Sequence, residues 1–112
     1  VTMKTLDGYL DRHPVSRLDF IKCDTDGMEE QVFRGAVKTL RRFRPAIHFE
    51  LSQGTPDESS LPKERILGIL RELGYCFYRE GSLKPFKDVG AIIQEFQTLK
   101  HCANLVALRC PT

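Results

Sequence analysis

The sequence predicts a single α/β domain built on a mostly parallel sheet. Short apolar segments alternate with amphipathic segments of helical period, and clusters of Pro, Gly, Asp and Ser separate them. This strand–helix–strand alternation is typical of right-handed crossover units. The chain has 112 residues, of which 41% are hydrophobic, so it can bury one modest core.

The first helix and the first strand occupy the start of the chain. Apolar residues at helical spacing predict a short helix over residues 5–12, which Pro14 stops. The segment RLDFIKCD, residues 17–24, is apolar and β-prone, and turn-forming residues follow it at once. It predicts a buried strand that ends near Asp24.

A longer helical pattern follows this strand. Residues 28–43 carry one apolar face at helical spacing and predict a single amphipathic helix. Asp26 precedes Glu29 by three residues, which predicts Asp26 as the N-cap and Glu29 as its capping-box partner. Pro45 ends the helix, and the segment PAIHFEL, residues 45–51, predicts a second strand.

The second half of the chain repeats the alternation. Gly74 is the expected C-terminal cap of the most regular helical pattern in the sequence. The remaining predicted elements are a polar loop (52–60), that helix (61–74), a strand (75–80), a weaker helix (91–101) and a final strand (104–110).

Charge and hydropathy exclude several classes of partner. The formal net charge is only +2 and charges of both signs are interspersed, so nothing calls for nucleic acid or an anionic membrane. No apolar run approaches the ~20 residues of a membrane span, and no signal-peptide pattern opens the chain. We therefore expect a cytoplasmic protein whose partner is a small molecule. The oligomeric state cannot be read from the sequence.

The four cysteines lack the spacing of a metal or redox motif. Cys23, Cys76, Cys102 and Cys110 form neither a Cys-x-x-Cys pair nor a zinc-type grouping with histidine. We expect no metal cluster and no redox pair. Cys23 and Cys76 fall in apolar strand-like runs, where a reduced cysteine behaves as a small core residue.

Two acidic residues end neighbouring predicted strands. Carboxyl ends of parallel strands meet at one edge of a sheet, so Asp24 and Glu50 are expected on the same rim. His48 shares the face of Glu50 but lies deeper, and we expect a hydrogen-bonded core histidine rather than a base. Lys22 either anchors a carboxylate or contacts a substrate, and the sequence leaves both open.

Besides the helix cap, the tetrapeptide Asp-Thr-Asp-Gly, residues 24–27, has two interpretations as a functional site. A calcium loop aligned on Gly27 puts Lys22 at the first ligand position and Phe33 at the last, where carboxylates are required. The phosphatase signature of haloacid dehalogenases has threonine where this chain has Met28, and no later strand here ends in paired aspartates. The sequence therefore does not match a calcium loop, and a phosphatase remains an alternative hypothesis.

Three longer blocks resemble one family. TLDGYLD, LDFIKCDTDGMEEQVFRGA and LRRFRPAIHFEL resemble, in order and spacing, the carboxyl-terminal half of FkbM-type S-adenosylmethionine-dependent methyltransferases. In this sequence Asp26 stands where the family usually has glutamate, and Phe33 stands where it usually has leucine. The matching residues are Thr5, Leu6, Asp7, Ile21, Lys22, Asp24, Gly27, Glu29, Gly35, Ala36, Pro45 and Glu50.

The resemblance implies a specific place for this chain within the fold. Residues 18–24 and 46–51 would be the fourth and fifth strands of a Rossmann-like, seven-stranded methyltransferase sheet, which is mostly parallel with an antiparallel last strand. Residues 75–79 and 105–110 would be the last two strands. No Gly-x-Gly-x-x-Gly and no strand–turn–helix precedes Thr5. Residues 1–112 are therefore expected to be one partial domain without the cofactor-binding N-terminal half.

The resemblance also implies a reaction and its residues. The complete enzyme would transfer a methyl group from S-adenosylmethionine to a hydroxyl of a sugar or natural product. Asp24 would be catalytic, positioning or deprotonating the acceptor, and Lys22, Asp26, Glu29 and Glu50 would bind substrate. We assign no residue to the cofactor and none to a metal. The alternative from another class is a non-catalytic fragment or interaction module.

Overall fold

The computed structural model of the chain describes residues 4–25, 28–51, 61–97 and 103–111. Within these ranges, no helix is long and apolar enough to cross a membrane. The helices and strands, in chain order, are α1 (Leu6–Arg12), β1 (Phe20–Cys23), α2 (Glu29–Arg34), α3 (Val37–Phe43), β2 (Ala46–Leu51), α4 (Leu61–Glu72), β3 (Tyr75–Arg79), α5 (Val89–Gln97) and β4 (Ala103–Arg109).

The four strands form one mixed sheet in the order β1-β2-β4-β3. β1 and β2 are parallel, whereas β4 runs antiparallel to both β2 and β3. The predicted α/β class and the antiparallel last strand are confirmed. The described sheet is less parallel than predicted, with one parallel and two antiparallel pairs, because β4 lies between β2 and β3 and separates two strands that run in the same direction.

The two faces of the sheet differ in burial. Along β2, buried and half-buried residues alternate, so one face points into the core and the other outward. Apolar residues of the helices share the core with the buried face. This core contains Phe33, Leu40, Ile47, Phe49, Leu51, Leu67, Leu70, Tyr75, Phe77, Ile92, Leu105 and Ala107.

The predicted single helix over residues 28–43 is wrong, because the chain breaks it into α2 and α3 at Gly35 and Ala36. The start of α1 packs into this break. The amide of Asp7 donates to the carbonyl of Gly35 at 2.9 Å. A Cβ atom on Gly35 would lie only 2.8 Å from Cγ2 of Thr5. The absence of a side chain at Gly35 therefore permits the close contact between α1 and the break.

Asp7 caps α3 from a distant part of the sequence. Its carboxylate accepts hydrogen bonds from the amides of Lys38 (3.1 Å) and Thr39 (2.9 Å) and from the Thr39 hydroxyl (2.7 Å). Burial would raise the pKa of Asp7, but the bonds from Thr39 and Lys38 together outweigh it and hold the pKa below its ordinary value. A helix without a capping side chain of its own thus receives one from the Thr-Leu-Asp segment.

Turn residues end two of the helices. Gly74 has a φ of 91°, in the left-handed region, and ends α4 as predicted. Arg44 ends α3 with a φ of 47° and leads into the buried Pro45. The Pro45 carbonyl accepts a hydrogen bond of 2.7 Å from the hydroxyl of Tyr75. Burial raises the pKa of Tyr75 to about 12, so the phenol remains a donor.

The expectation for the cysteines is wrong for Cys76, which forms a disulfide bond with Cys110. The antiparallel register pairs Cys76 with Leu108, so Cys110 lies diagonally across on the same face. Sequence spacing does not reveal this pair because the partners are 34 positions apart. Cys23 is buried and reduced as predicted, and burial together with the Glu29 carboxylate raises its thiol pKa to about 11. Cys102 lies outside the described residues.

Candidate functional site

The carboxyl ends of β1 and β2 lie side by side, as predicted. The parallel register begins with Phe20 opposite Ala46 and ends with Cys23 opposite Phe49. Asp24 and Glu50 each follow one member of this last pair. Asp24 is exposed and Glu50 is half-buried. The structure therefore brings the two predicted acids to one edge of the sheet, where Asp24 is open to solvent.

The turn from β1 into α2 differs from the prediction. The helix begins at Glu29, and Met28 is its N-cap without a side-chain hydrogen bond. The capping-box prediction is therefore wrong, since Glu29 is the first helical residue instead of the third. Its carboxylate accepts a hydrogen bond of 2.8 Å from the Thr25 hydroxyl, and the residue is only 1% exposed. Asp26 and Gly27 lie outside the described residues.

The burial of Glu29 bears on its predicted role in substrate binding. A carboxylate in the interior is stabilised by hydrogen bonds to it, here from Thr25, which comes directly after Asp24. This arrangement favours a positioning role in the turn over direct contact with a ligand.

Lys22 and His48 lie opposite each other on the outward face of the sheet. Lys22 is exposed. His48 forms a hydrogen bond through Nε2 to the carboxylate of Glu80. The expectation of a hydrogen-bonded histidine is confirmed, but its predicted core location is wrong. His48 is half-buried and faces away from the core because strand alternation assigns the buried positions to Ile47 and Phe49.

Glu80 is a further neighbour of this edge and was not predicted from the sequence. β2 and β3 are both antiparallel to β4, so they run in the same direction and their carboxyl ends meet at one edge. Glu80 follows the end of β3, just as Asp24 follows β1. An acid at the carboxyl end of the predicted strand, residues 75–80, was the available signal. In the part of the chain that the structure describes, no group of three or more acidic, histidine or cysteine side chains could hold a metal ion.

A groove of about 670 Å³ lies between α1 and α2 and reaches the β1–α2 turn. Leu6, Tyr9, Met28 and Val32 give it a mainly apolar lining, and Thr25 lines the end next to Asp24. Tyr9 and Met28 are 49% and 42% exposed. The candidate site therefore combines an acidic sheet edge with an adjoining apolar groove.

Comparison with known protein families identifies a family for this chain. A family model described as "Methyltransferase FkbM domain" matches residues 1–77, which is more than half of the chain. The matched region runs from before α1 into β3 and includes Asp24 and Glu50. No curated protein and no solved structure matches the chain significantly.

Proposed function

The chain belongs to the family of FkbM methyltransferase domains, and from this premise we propose that it forms the acceptor side of an S-adenosylmethionine-dependent methyltransferase. The acceptor is proposed to be a hydroxyl group of a sugar or another natural product. The observation that carries the proposal is the in-register parallel pair β1 and β2, followed by Asp24 and Glu50. Enzymes with open α/β sheets place their sites outside such strand ends.

Asp24 is the proposed catalytic residue. Methyl transfer to a hydroxyl needs an acceptor held in line and a group that takes its proton as the new bond forms. The Asp24 carboxylate is exposed at the sheet edge, so a substrate hydroxyl can approach it. Glu50 on the neighbouring strand would accept a hydrogen bond from another hydroxyl of the same acceptor. Lys22, which lies on β1 two residues before Asp24, would contact acceptor oxygens.

Asp26 and Glu29 complete the proposed substrate-binding set with different roles. Asp26 would contribute a carboxylate to the turn that carries Asp24. Glu29 would act indirectly, because its hydrogen bond with Thr25 holds the residue next to Asp24. This assignment makes Glu29 a positioning residue of the site.

The residues of this chain do not fit a complete cofactor site. The sequence contains no Gly-x-Gly-x-x-Gly turn, the feature with which such folds approach a cofactor's polar groups closely. When bound, S-adenosylmethionine supplies the methyl group from its sulfonium. We assign no cofactor contact to residues 1–112 and propose that they form the second half of a seven-stranded sheet, with β4 as its antiparallel last strand.

The cellular location stays a prediction. We expect a cytoplasmic enzyme with a small-molecule acceptor. The disulfide between Cys76 and Cys110 bears on this expectation, because persistent disulfides are rare in the reducing cytosol. Fractionation of cells, combined with mass spectrometry of the cysteine oxidation state, tests both points together.

The second candidate is a non-catalytic interaction module. Its specific support is the edge strand β1, which among the described strands pairs only with β2. Phe20 on this strand is 57% exposed. An edge strand with an exposed aromatic residue is a surface on which another chain can add a strand.

Calorimetric titration with S-adenosylmethionine separates the candidates. We expect no stoichiometric binding to the 112-residue chain and clear binding to the full-length gene product. Stoichiometric binding to the 112 residues alone would contradict the assignment of this chain to the acceptor side. Absence of binding by both proteins would favour the interaction module.

A further inference from the structure

The disulfide between Cys76 and Cys110 lies beside a positively charged side chain. It is at the amino end of β3, at the sheet edge opposite Asp24. Nη1 of Arg71, on α4, is 3.3 Å from Sγ of Cys76 and 3.1 Å from Sγ of Cys110. Both cysteines are half-buried and Arg71 is exposed, so a reagent from solvent can reach the pair.

A cavity of about 100 Å³ opens next to Cys76. Its charged lining residues are Arg71, Lys87 and Asp88. Asp88 already accepts a hydrogen bond of 2.7 Å from the amide of Ala91, at the first turn of α5. Two cations and one engaged carboxylate give the cavity a net positive lining, which attracts an anionic ligand.

We propose that Cys76 and Cys110 form a reversible thiol-exchange site for a small anionic thiol. Cys76 lines the cavity, and Sγ of Cys110 is the sulfur nearer to Arg71. An incoming thiolate attacks Sγ of Cys76 from the cavity side. The guanidinium of Arg71 stabilises the thiolate that leaves on Cys110, since a cation beside a sulfur favours its thiolate form and improves it as a leaving group.

The complete exchange is a two-electron reduction of the protein disulfide by two thiol molecules. The first thiolate forms a bond to Sγ of Cys76, the bond between the two protein sulfurs breaks, and its electron pair leaves on Cys110, which takes a proton from water. A second molecule of the same thiol then attacks the mixed disulfide. It releases Cys76 as a thiol and leaves as a small-molecule disulfide.

Re-formation of the disulfide is favoured by backbone contacts that do not depend on it. The amide of Cys110 donates to the carbonyl of Gly74 at 2.9 Å. The ladder between β3 and β4 pairs Cys76 with Leu108, and the two cysteine Cα atoms are 5.0 Å apart. The thiols therefore remain neighbours after reduction. Cys23, buried in the core, serves as an internal control.

The test compares an anionic with a cationic thiol. The oxidised 112-residue chain is treated with glutathione or with cysteamine, quenched in acid and analysed by intact mass and peptide mapping. Each rate is divided by the rate of the same thiol with a small linear disulfide. We expect the adduct on Cys76, with a higher normalised rate for glutathione. Arg71→Met should slow that reaction on the order of tenfold, the rate equivalent of one charge-assisted hydrogen bond.

Two further variants keep the test decisive. Arg41→Met makes the same change at an exposed position of α3 and should leave the rate unaltered. Arg71→Lys retains the charge and should keep the preference for glutathione. If far-UV circular dichroism shows that Arg71→Met does not fold, Arg71→Lys replaces it in the test. An adduct on Cys110 or Cys23, no adduct at all, equal normalised rates, or a rate unaffected by Arg71→Met would overturn the proposal.

Discussion

Replacing Gly35 by alanine should destabilise the chain, although the backbone accepts an alanine there. Gly35 has a φ of −83°, which any residue adopts. The new Cβ would lie 2.8 Å from Cγ2 and 2.9 Å from Cβ of Thr5. At such distances α1 must move away from the break between α2 and α3. That movement strains the bond from the Asp7 amide to the Gly35 carbonyl.

Two opposing terms set the magnitude. Alanine restricts the unfolded chain and contributes about 0.4–1 kcal/mol to the free energy of unfolding where the backbone is compatible. Overpacking by an added methyl group costs about 1–3 kcal/mol. We expect Gly35→Ala to lower the free energy of unfolding by about 1.3 kcal/mol, the difference between the middles of these ranges, which are about 2 and about 0.7 kcal/mol.

Urea denaturation followed by far-UV circular dichroism measures this difference. Gly68→Ala is the matched control, because a Cβ at this position in α4 meets no atom within 4 Å. It should stabilise the chain by about 0.5–1 kcal/mol, the usual gain of alanine over glycine in a helix. Thr5→Ser removes Cγ2 but keeps the hydroxyl, which caps α1 by accepting a hydrogen bond of 3.0 Å from the amide of Gly8. It should therefore restore part of the loss in Gly35→Ala. A Gly35→Ala chain as stable as the wild type would show that α1 and the break between α2 and α3 accommodate the added methyl group without strain.

Three other predictions concern stability and are measured by the same denaturation assay. Asp7→Asn should cost about 1–2 kcal/mol at pH 7. The lowered pKa of Asp7 stabilises the fold above pH ~4, and this contribution is lost as pH falls through the folded pKa. The Asn variant should therefore lose less stability than the wild type on acidification, and an identical pH dependence would contradict the cap. Replacing Cys76 and Cys110 together by serine should lower the free energy of unfolding by about 4 kcal/mol, because the disulfide closes a loop with a sequence separation of 34 in the unfolded chain. A decrease of less than about 1 kcal/mol would show that the disulfide adds little stability. Tyr75→Phe removes a buried hydrogen bond and should lower the free energy of unfolding by about 1–2 kcal/mol. An unchanged midpoint of urea denaturation would contradict this prediction.

Local patterns predicted most of the elements. Apolar period and turn residues suffice for α1, β1, β2 and α4, because each is short and is bounded by proline, glycine or polar residues. The pairing of β1 with β2, and with it the shared edge of Asp24 and Glu50, followed from the same alternation.

The break between α2 and α3 could not be predicted from the local pattern. The apolar stripe continues across it, and Phe33, Ala36 and Leu40 are all buried as a single helix would require. The break is capped by Asp7 from about thirty residues away, because its carboxylate accepts hydrogen bonds from the amides of Lys38 and Thr39, which a continuous helix would use internally. Thr5 packs against Gly35 at the same place. Contacts of this kind follow from the tertiary fold and leave no periodic signal.

The disulfide and the pair of His48 with Glu80 were missed for a related reason. Both depend on the position of β4 between β2 and β3. Cys76 and Cys110 meet because β3 pairs with β4, and His48 reaches Glu80 across β4, which separates β2 from β3. In the sequence, Glu80 was only the last residue of the predicted strand 75–80. The topology makes it a neighbour of the candidate site.

Transfer of a labelled methyl group to an acceptor measures the proposed reaction itself. The full-length gene product is incubated with S-adenosylmethionine labelled in its methyl group and a panel of sugar-containing acceptors, and label in the acceptor is counted. We expect transfer by the wild type, a loss of about 10²–10⁴-fold in Asp24→Asn, and no loss in the control Asp11→Asn, which changes an exposed residue of α1. Wild-type transfer by the Asp24→Asn protein would contradict Asp24 as the catalytic residue, and absence of transfer by the wild type to every acceptor would contradict the proposed reaction.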